Sequence, residues 1–214
     1  MEPVRKVVNR TGRSMRGKLP SLKMKRSIGC ESTLEVDAAL LFDWTPEVVR
    51  YHAQPNHEFP SNGVMPFQYT PDFLLEMVDG SQITVEVKPA GKLSDPTLRE
   101  RLTHIEKHFE RSDRKFQILT EITLRDKVLR NNFRKLHYHA RPVTGGMAFW
   151  ETYHRLIAKD TLSFGEVQAA FPEPRDAYRL LSTRWLRFDI EKPLNAATPV
   201  FVTGPEVRHD AFHL

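Results

Sequence analysis

The run Val85-Glu86-Val87-Lys88 alternates strictly between apolar and charged residues, a period-2 pattern that suits a strand and no helix. A strand here sends both valines to one face and Glu86 with Lys88 to the other. Asp79-Gly80 just upstream is a turn signal, and Phe73-Leu74-Leu75 before it reads as the partner strand of a hairpin. Asp72 then sits at the hairpin's mouth. Two carboxylates and an ammonium gathered this way can hold a divalent cation and position a water for attack on a phosphodiester.

Around this hairpin the pattern alternates helices and strands. Glu31 to Phe42 reads as a helix with Ser32 as N-cap, ended by Pro46. Val48 to Ala53 reads as a strand. Ser94 or Asp95 can cap a helix running to Phe109, Phe116 to Thr120 is a short strand, and Leu124 to His137 a basic helix. This order predicts an α/β sandwich around a mixed sheet. Residues 141 to 146 read as a linker. Beyond it three short helical patterns (147–158, 162–171, 176–185) and two strand-like pieces (186–190, 198–202) suggest a small winged-helix-like domain.

Charge is unevenly spread. The chain carries +5 overall, yet residues 1 to 27 hold nine basic residues against Glu2 alone, a net of +8 that leaves −3 for the rest. Gly12, Gly17 and Pro20 interrupt any helix there. A basic arm of this kind suits nucleic-acid phosphates, with Arg13, Arg16, Lys18, Lys23, Lys25 and Arg26 as DNA-binding candidates; the plain alternative is a solubilising tail. From residue 145 onward the net charge is −1, which favours protein contact or domain packing over DNA reading, with Phe201, Phe212 and Leu214 as apolar candidates.

Several function classes are set aside. No apolar run approaches twenty residues and no secretory h-region is present, so no membrane partner is expected and a cytoplasmic setting is. Cys30 is the only cysteine, which rules out an intrachain disulfide and a cysteine-based zinc site. His104 and His108 stand at i, i+4, but without the His-Glu-x-x-His order of zinc hydrolases, so a solvated basic face is the preferred reading. Lys92 follows Gly91 without Walker-type glycine spacing.

A third acid comes from the first helix. Glu35 shares a stripe with Ala39 and Phe42 that faces inward, so it needs a partner, and a metal is one candidate. The competing reading is a capping box, Ser32-x-x-Glu35, in which the carboxylate bonds the Ser32 N–H. For Asp72 the ordinary reading is a turn aspartate, and for Glu86 with Lys88 a solvated strand face or salt bridge.

Asp72 after Pro71, followed by Glu86-x-Lys88, resembles the PD-(D/E)XK nucleases, in which Glu35 corresponds to the helix acid that many members add. A longer string is more specific: Ser21-Leu22-Lys23-Met24, Glu31-Ser32-x-Leu34-Glu35-x-Asp37, Gln54-Pro55, Tyr69-Thr70-Pro71-Asp72-Phe73, Glu86-Val87-Lys88-Pro89 and Leu119-Thr120-Glu121. In that order and spacing it resembles the TnsA-type endonuclease subunit of heteromeric transposases, over roughly residues 20 to 140. The resemblance implies a restriction-endonuclease-like catalytic domain over 28–140 between the arm (1–27) and the linker (141–146), followed by the domain at 147–214. It implies catalytic roles for Glu35, Asp72, Glu86 and Lys88, with the three acids on Mg²⁺ and Mn²⁺ able to substitute. Glu86 stands where the family's best-known member has glutamine, so the metal shell is expected to differ in detail.

The same resemblance implies single-strand hydrolysis at the 5′ ends of a transposon in a bacterial cytoplasm. The implied partners are double-stranded DNA, a DDE-type transposase subunit and an ATP-dependent regulator. A stand-alone restriction or repair nuclease, and a catalytically idle DNA-binding adaptor, are the rival expectations.

Overall fold

The computed structural model describes residues 17–202, apart from 141, 142, 144 and 160. The chain divides into two compact units, one ending at Asp126 and the other beginning at Lys127. The first contains the hairpin.

That unit is built on a mixed four-stranded sheet in the order β3-β4-β5-β6: β3 (Val48–Ala53), β4 (Phe73–Met77), β5 (Gln82–Val87) and β6 (Lys115–Leu119). β3, β4 and β5 are antiparallel neighbours, and Phe73 pairs with Val85. The Asp79-Gly80 turn forms as expected: Gly80 takes a positive φ of 82°, and Asp79 accepts the Ser81 N–H. β6 runs parallel to β5, so the chain crosses over through α2 (Pro96–Glu110), capped by Asp95 with Pro96 in its first turn.

Side-chain alternation gives the sheet two buried faces. On one, Phe42 of α1 (Thr33–Trp44) meets Tyr51 and Phe73 edge to face at 5.6 and 5.3 Å. On the other, Leu102, Ile105 and Phe109 of α2 cluster with Tyr69, against Phe116 and Ile118. The charged face of β5 is therefore not a solvated one: Glu86 is only 5% exposed. Two-sided cover makes its polar side chains costly unless they are paired.

Residues 17–27, read from sequence as part of a basic arm, are corrected by the structure. They belong to an antiparallel hairpin of β1 (Gly17–Ser21) and β2 (Arg26–Cys30), in which Leu19, Ile28 and Cys30 turn inward. Its turn clamps the end of α1: the Asp43 carboxylate accepts Ser21 Oγ–H, Leu22 N–H at 2.8 Å and Tyr51 O–H at 2.9 Å. The part of the arm before residue 17, including Arg13 and Arg16, lies outside the described residues.

A second difference concerns the basic helix expected from Leu124. It is two helices, α3 (Glu121–Leu124) and α4 (Lys127–His139), and α4 groups with the second unit, whereas the sequence reading put the change of unit at 141–146. That unit continues with α5 (Met147–Ile157), β7 (Leu162–Ser163), α6 (Phe164–Ala170), α7 (Arg175–Ser182), β8 (Leu186–Arg187) and β9 (Pro199–Val202). The three short strands pair antiparallel in the order β7-β9-β8. Asn132 of α4, almost fully buried, donates to Ile190 O and Lys192 O and accepts Leu194 N–H, which pins the segment between β8 and β9. Among the described residues no helix is long and apolar enough to cross a membrane.

Candidate active site

The hairpin places Asp72, Glu86 and Lys88 as its alternation requires. Asp72 precedes β4 by one residue and its Oδ2 accepts the Val87 N–H at 2.7 Å, a bond across to the end of β5. Lys88 lies one residue past β5, its N–H still bonded to Leu119 O of β6. The Lys88 ammonium reaches Asp72 Oδ2 at 3.4 Å and pairs closely with Glu86 Oε1. The second Glu86 oxygen accepts the Tyr69 hydroxyl at 2.6 Å.

These groups line one wall of an open cleft of about 780 Å³, which Glu31 and Glu35 also line. Glu35 is inward-facing, as its stripe predicts, and 8% exposed. Its carboxylate accepts Ser32 Oγ–H at 2.8 Å and Glu31 N–H at 2.7 Å, while Ser32 Oγ accepts the Glu35 N–H. The capping bond from Ser32 Oγ is thus present. The reciprocal arm differs from the expected box, because Glu35 takes the N–H of Glu31 in place of Ser32. Capping and a place on the cleft wall coexist.

Excess negative charge sets the electrostatics. Burial, then the neighbouring Glu86 charge, pushes the Asp72 carboxyl up to about 7, against the pull of Lys88 and the Val87 N–H. Burial likewise raises Glu35, partly offset by its two cap donors. Burial alone lowers Lys88, but Asp72 and Glu86 outweigh it and hold the ammonium above its ordinary value. Lys88 and Arg101 line the cleft against four carboxyls, Glu31, Glu35, Asp72 and Glu86.

Hard carboxylate oxygens beside uncompensated negative charge suit Mg²⁺, which binds through one or two carboxylates and keeps much of its water. Asp72 Oδ1 accepts no hydrogen bond among the described residues, which leaves it the least committed oxygen of the three acids. The Glu35 and Glu86 oxygens already carry hydrogen bonds or ion pairs. Consistently, no three His, Cys, Asp or Glu side chains among the described residues form a ready metal cage. The donor chemistry fits a cation; the cage is incomplete without rearrangement.

The remaining sequence candidates separate. Lys23 does a different job from the phosphate contact expected of it: its ammonium donates to Phe42 O at 2.7 Å and Thr45 O at 2.6 Å, capping the carbonyl end of α1, and to Val48 O at the start of β3. Lys18, Lys25 and Arg26 are exposed on the hairpin. Gln54 is a strand-end residue, with φ of 47° and its N–H on Asp72 O at 2.9 Å, and it does not line the cleft. His108 bonds Glu58, and Arg114 grips both Glu58 oxygens.

Residues 45–121 match the family described as TnsA-like endonuclease N terminal. Over that segment the chain is similar to the N-terminal domain of TnsA-like endonucleases. The matched segment contains β3 to β6 and therefore Asp72, Glu86 and Lys88, while Glu35 precedes it. No curated protein matches the chain.

Two cleft residues of the matched segment carried no role in the sequence reading. Tyr69 stood in the resembling string only as a motif letter, and its bond to Glu86 spans seventeen positions. His57 lines the cleft with Nδ1 2.7 Å from Thr70 Oγ1. A single histidine beside Asn56 and Pro55 carries no local pattern that marks it.

Proposed function

We propose that this chain is a Mg²⁺-dependent DNA endonuclease that hydrolyses one strand at the 5′ ends of a transposon, as a subunit of a heteromeric transposase. The observation that carries the reading is the connected series Asp72, Lys88 and Glu86 on the wall of an acid-rich cleft, within a segment matching TnsA-like endonucleases. Asp72, Glu86 and Glu35 hold the cation, and Mn²⁺ is expected to substitute. When bound, the cation neutralises charge on the phosphodiester and acidifies its water.

The chain's own groups do the positioning. Asp72, a cleft-lining residue, is fixed through Oδ2 by the Val87 N–H, and its Oδ1 is left without a hydrogen bond among the described residues. Glu35 would contribute an oxygen to the cation, its two oxygens being engaged in cap bonds with Ser32 and Glu31. Lys88, kept protonated by its two acids, orients the attacking water or stabilises charge on the phosphoryl oxygens. Arg13, Arg16, Lys18, Lys25 and Arg26 supply phosphate contacts from the N-terminal segment.

Transposase dependence, the DDE-type partner and the ATP-dependent regulator rest on the family resemblance of the sequence alone. In the second unit, short helices interleaved with a β7-β9-β8 antiparallel sheet support a winged-helix reading, and its net charge over residues 127–214 is +4 once the basic α4 is counted. Reconstitution with transposase, transposon-end DNA and Mg²⁺ tests the whole reading. Nicking that needs the partner and disappears with Asp72→Ala supports it. Cutting by the chain alone points to a restriction or repair nuclease, and no cutting under any condition to a DNA-binding adaptor.

A further inference from the structure

Tyr69 is anchored at both ends. Its ring is buried with Leu102, Ile105 and Phe109, and its hydroxyl leaves that cluster to donate to Glu86 Oε2 at 2.6 Å. That length lies in the range of a charge-assisted bond between a hydroxyl and a carboxylate. Its backbone is tied to Glu58 by reciprocal N–H to carbonyl bonds of 2.9 and 2.8 Å, and Arg114 and His108 grip the Glu58 carboxylate in turn. The phenol is therefore a fixed point on the cleft wall.

Glu86 is held through both of its oxygens. It reaches Lys88 through Oε1, and Lys88 reaches Asp72. Without the Tyr69 donor, nothing else in the described structure bonds Oε2, and the carboxylate loses one of the two bonds that set its orientation.

We propose that Tyr69 is a positioning residue: its O–H fixes the Glu86 carboxylate so that Oε1 faces Lys88 and the Glu86–Lys88 pair stands beside Asp72. The inference rests on the metal-dependent reading of the cleft. Tyr69 acts through Glu86, as outer partners of ligating groups generally do, and loss of such a partner costs roughly ten- to a hundredfold in metal affinity or activity.

The test is calorimetric titration of the full-length chain with Mn²⁺, for wild type, Tyr69→Phe, Glu86→Ala and the double variant, with thermal unfolding recorded for each. Tyr69→Phe keeps the ring and removes only the hydroxyl. The expected result is Mn²⁺ affinity at least about tenfold weaker in Tyr69→Phe, and no additional loss when the change is made on Glu86→Ala. An unchanged affinity in Tyr69→Phe overturns the proposal, as does an equal loss in the Glu86→Ala background. If Tyr69→Phe unfolds, Tyr69 is a core residue first and the positioning role is rejected. A wild-type chain that binds no Mn²⁺ overturns the metal reading itself, an outcome distinct from the others.

Discussion

The Val87 N–H donates to Asp72 Oδ2 at 2.7 Å, so the strand that carries Glu86 and Lys88 also sets the rotation of Asp72. This places a carboxylate where burial and Glu86 push it up to about 7. A folded-state pKa above the unfolded value of 3.8 means that stability is fully present below 3.8 and is lost as pH rises through about 7. Asp72→Asn removes the charge and keeps the shape. At pH 8 without metal, this variant is expected to melt higher than wild type, by on the order of a few kcal/mol at most. The gain shrinks toward pH 4 in thermal melts across the pH range, and equal melting at pH 8 contradicts the electrostatic account.

Lys23 tests how the N-terminal hairpin is used. Its ammonium donates to Phe42 O and Thr45 O at the end of α1 and to Val48 O at the start of β3, so Lys23→Met should lower stability by about 2 to 3 kcal/mol, the scale of hydrogen bonds to a charged group. The salt dependence of DNA binding should stay as in wild type. By contrast, Lys25→Met should leave stability within about 0.5 kcal/mol of wild type and flatten the salt dependence by ~0.9 in log–log slope if Lys25 contacts a phosphate. Denaturant melts and binding titrations at several salt concentrations separate the two.

Glu58 is held below its ordinary range: burial raises it, but the Arg114 and His108 bonds outweigh that. A depressed folded pKa contributes stability above the unfolded value of 4.5, lost as pH falls through the lower folded pKa. Arg114→Ala should therefore destabilise the protein at pH 7 by ~1 kcal/mol or less, since Arg114 is partly exposed. The difference from wild type should close as pH falls below the depressed Glu58 pKa, as read by urea unfolding.

Cys30 sits fully buried under the hairpin, and burial first, then the Glu35 and Asp72 charges, push its thiol up to about 12. The thiolate is the reactive form, so a disulfide reagent at pH 8 should leave the folded chain unmodified and titrate one thiol on denaturation. Rapid labelling of the native protein contradicts this burial.

Much of the sheet was legible because its signals are local. Alternation marks β5, Asp79-Gly80 marks its turn, and Ser32 marks the start of α1. The β1–β2 hairpin was not, because its inward positions are interleaved with lysines, arginines and serines that swamp a short apolar alternation. Lys23 looked like a phosphate ligand because its acceptors are backbone carbonyls nineteen to twenty-five residues away. Tyr69 failed for the same reason, since nothing in Tyr-Thr-Pro-Asp tells which strand the phenol meets. The depth of Glu86 was also invisible: α2 covers its face of the sheet from a crossover the alternation cannot report.

The central claim is that Asp72 is required for metal-dependent strand hydrolysis, and strand-mapped cleavage of transposon-end DNA in the reconstituted mixture measures it most directly. With Mg²⁺ and transposase, wild type should cut one strand at the 5′ ends. Chelation should abolish this cut, and Asp72→Asn should reduce it by at least about a hundredfold. Cleavage of that strand by Asp72→Asn at the wild-type rate would contradict the account.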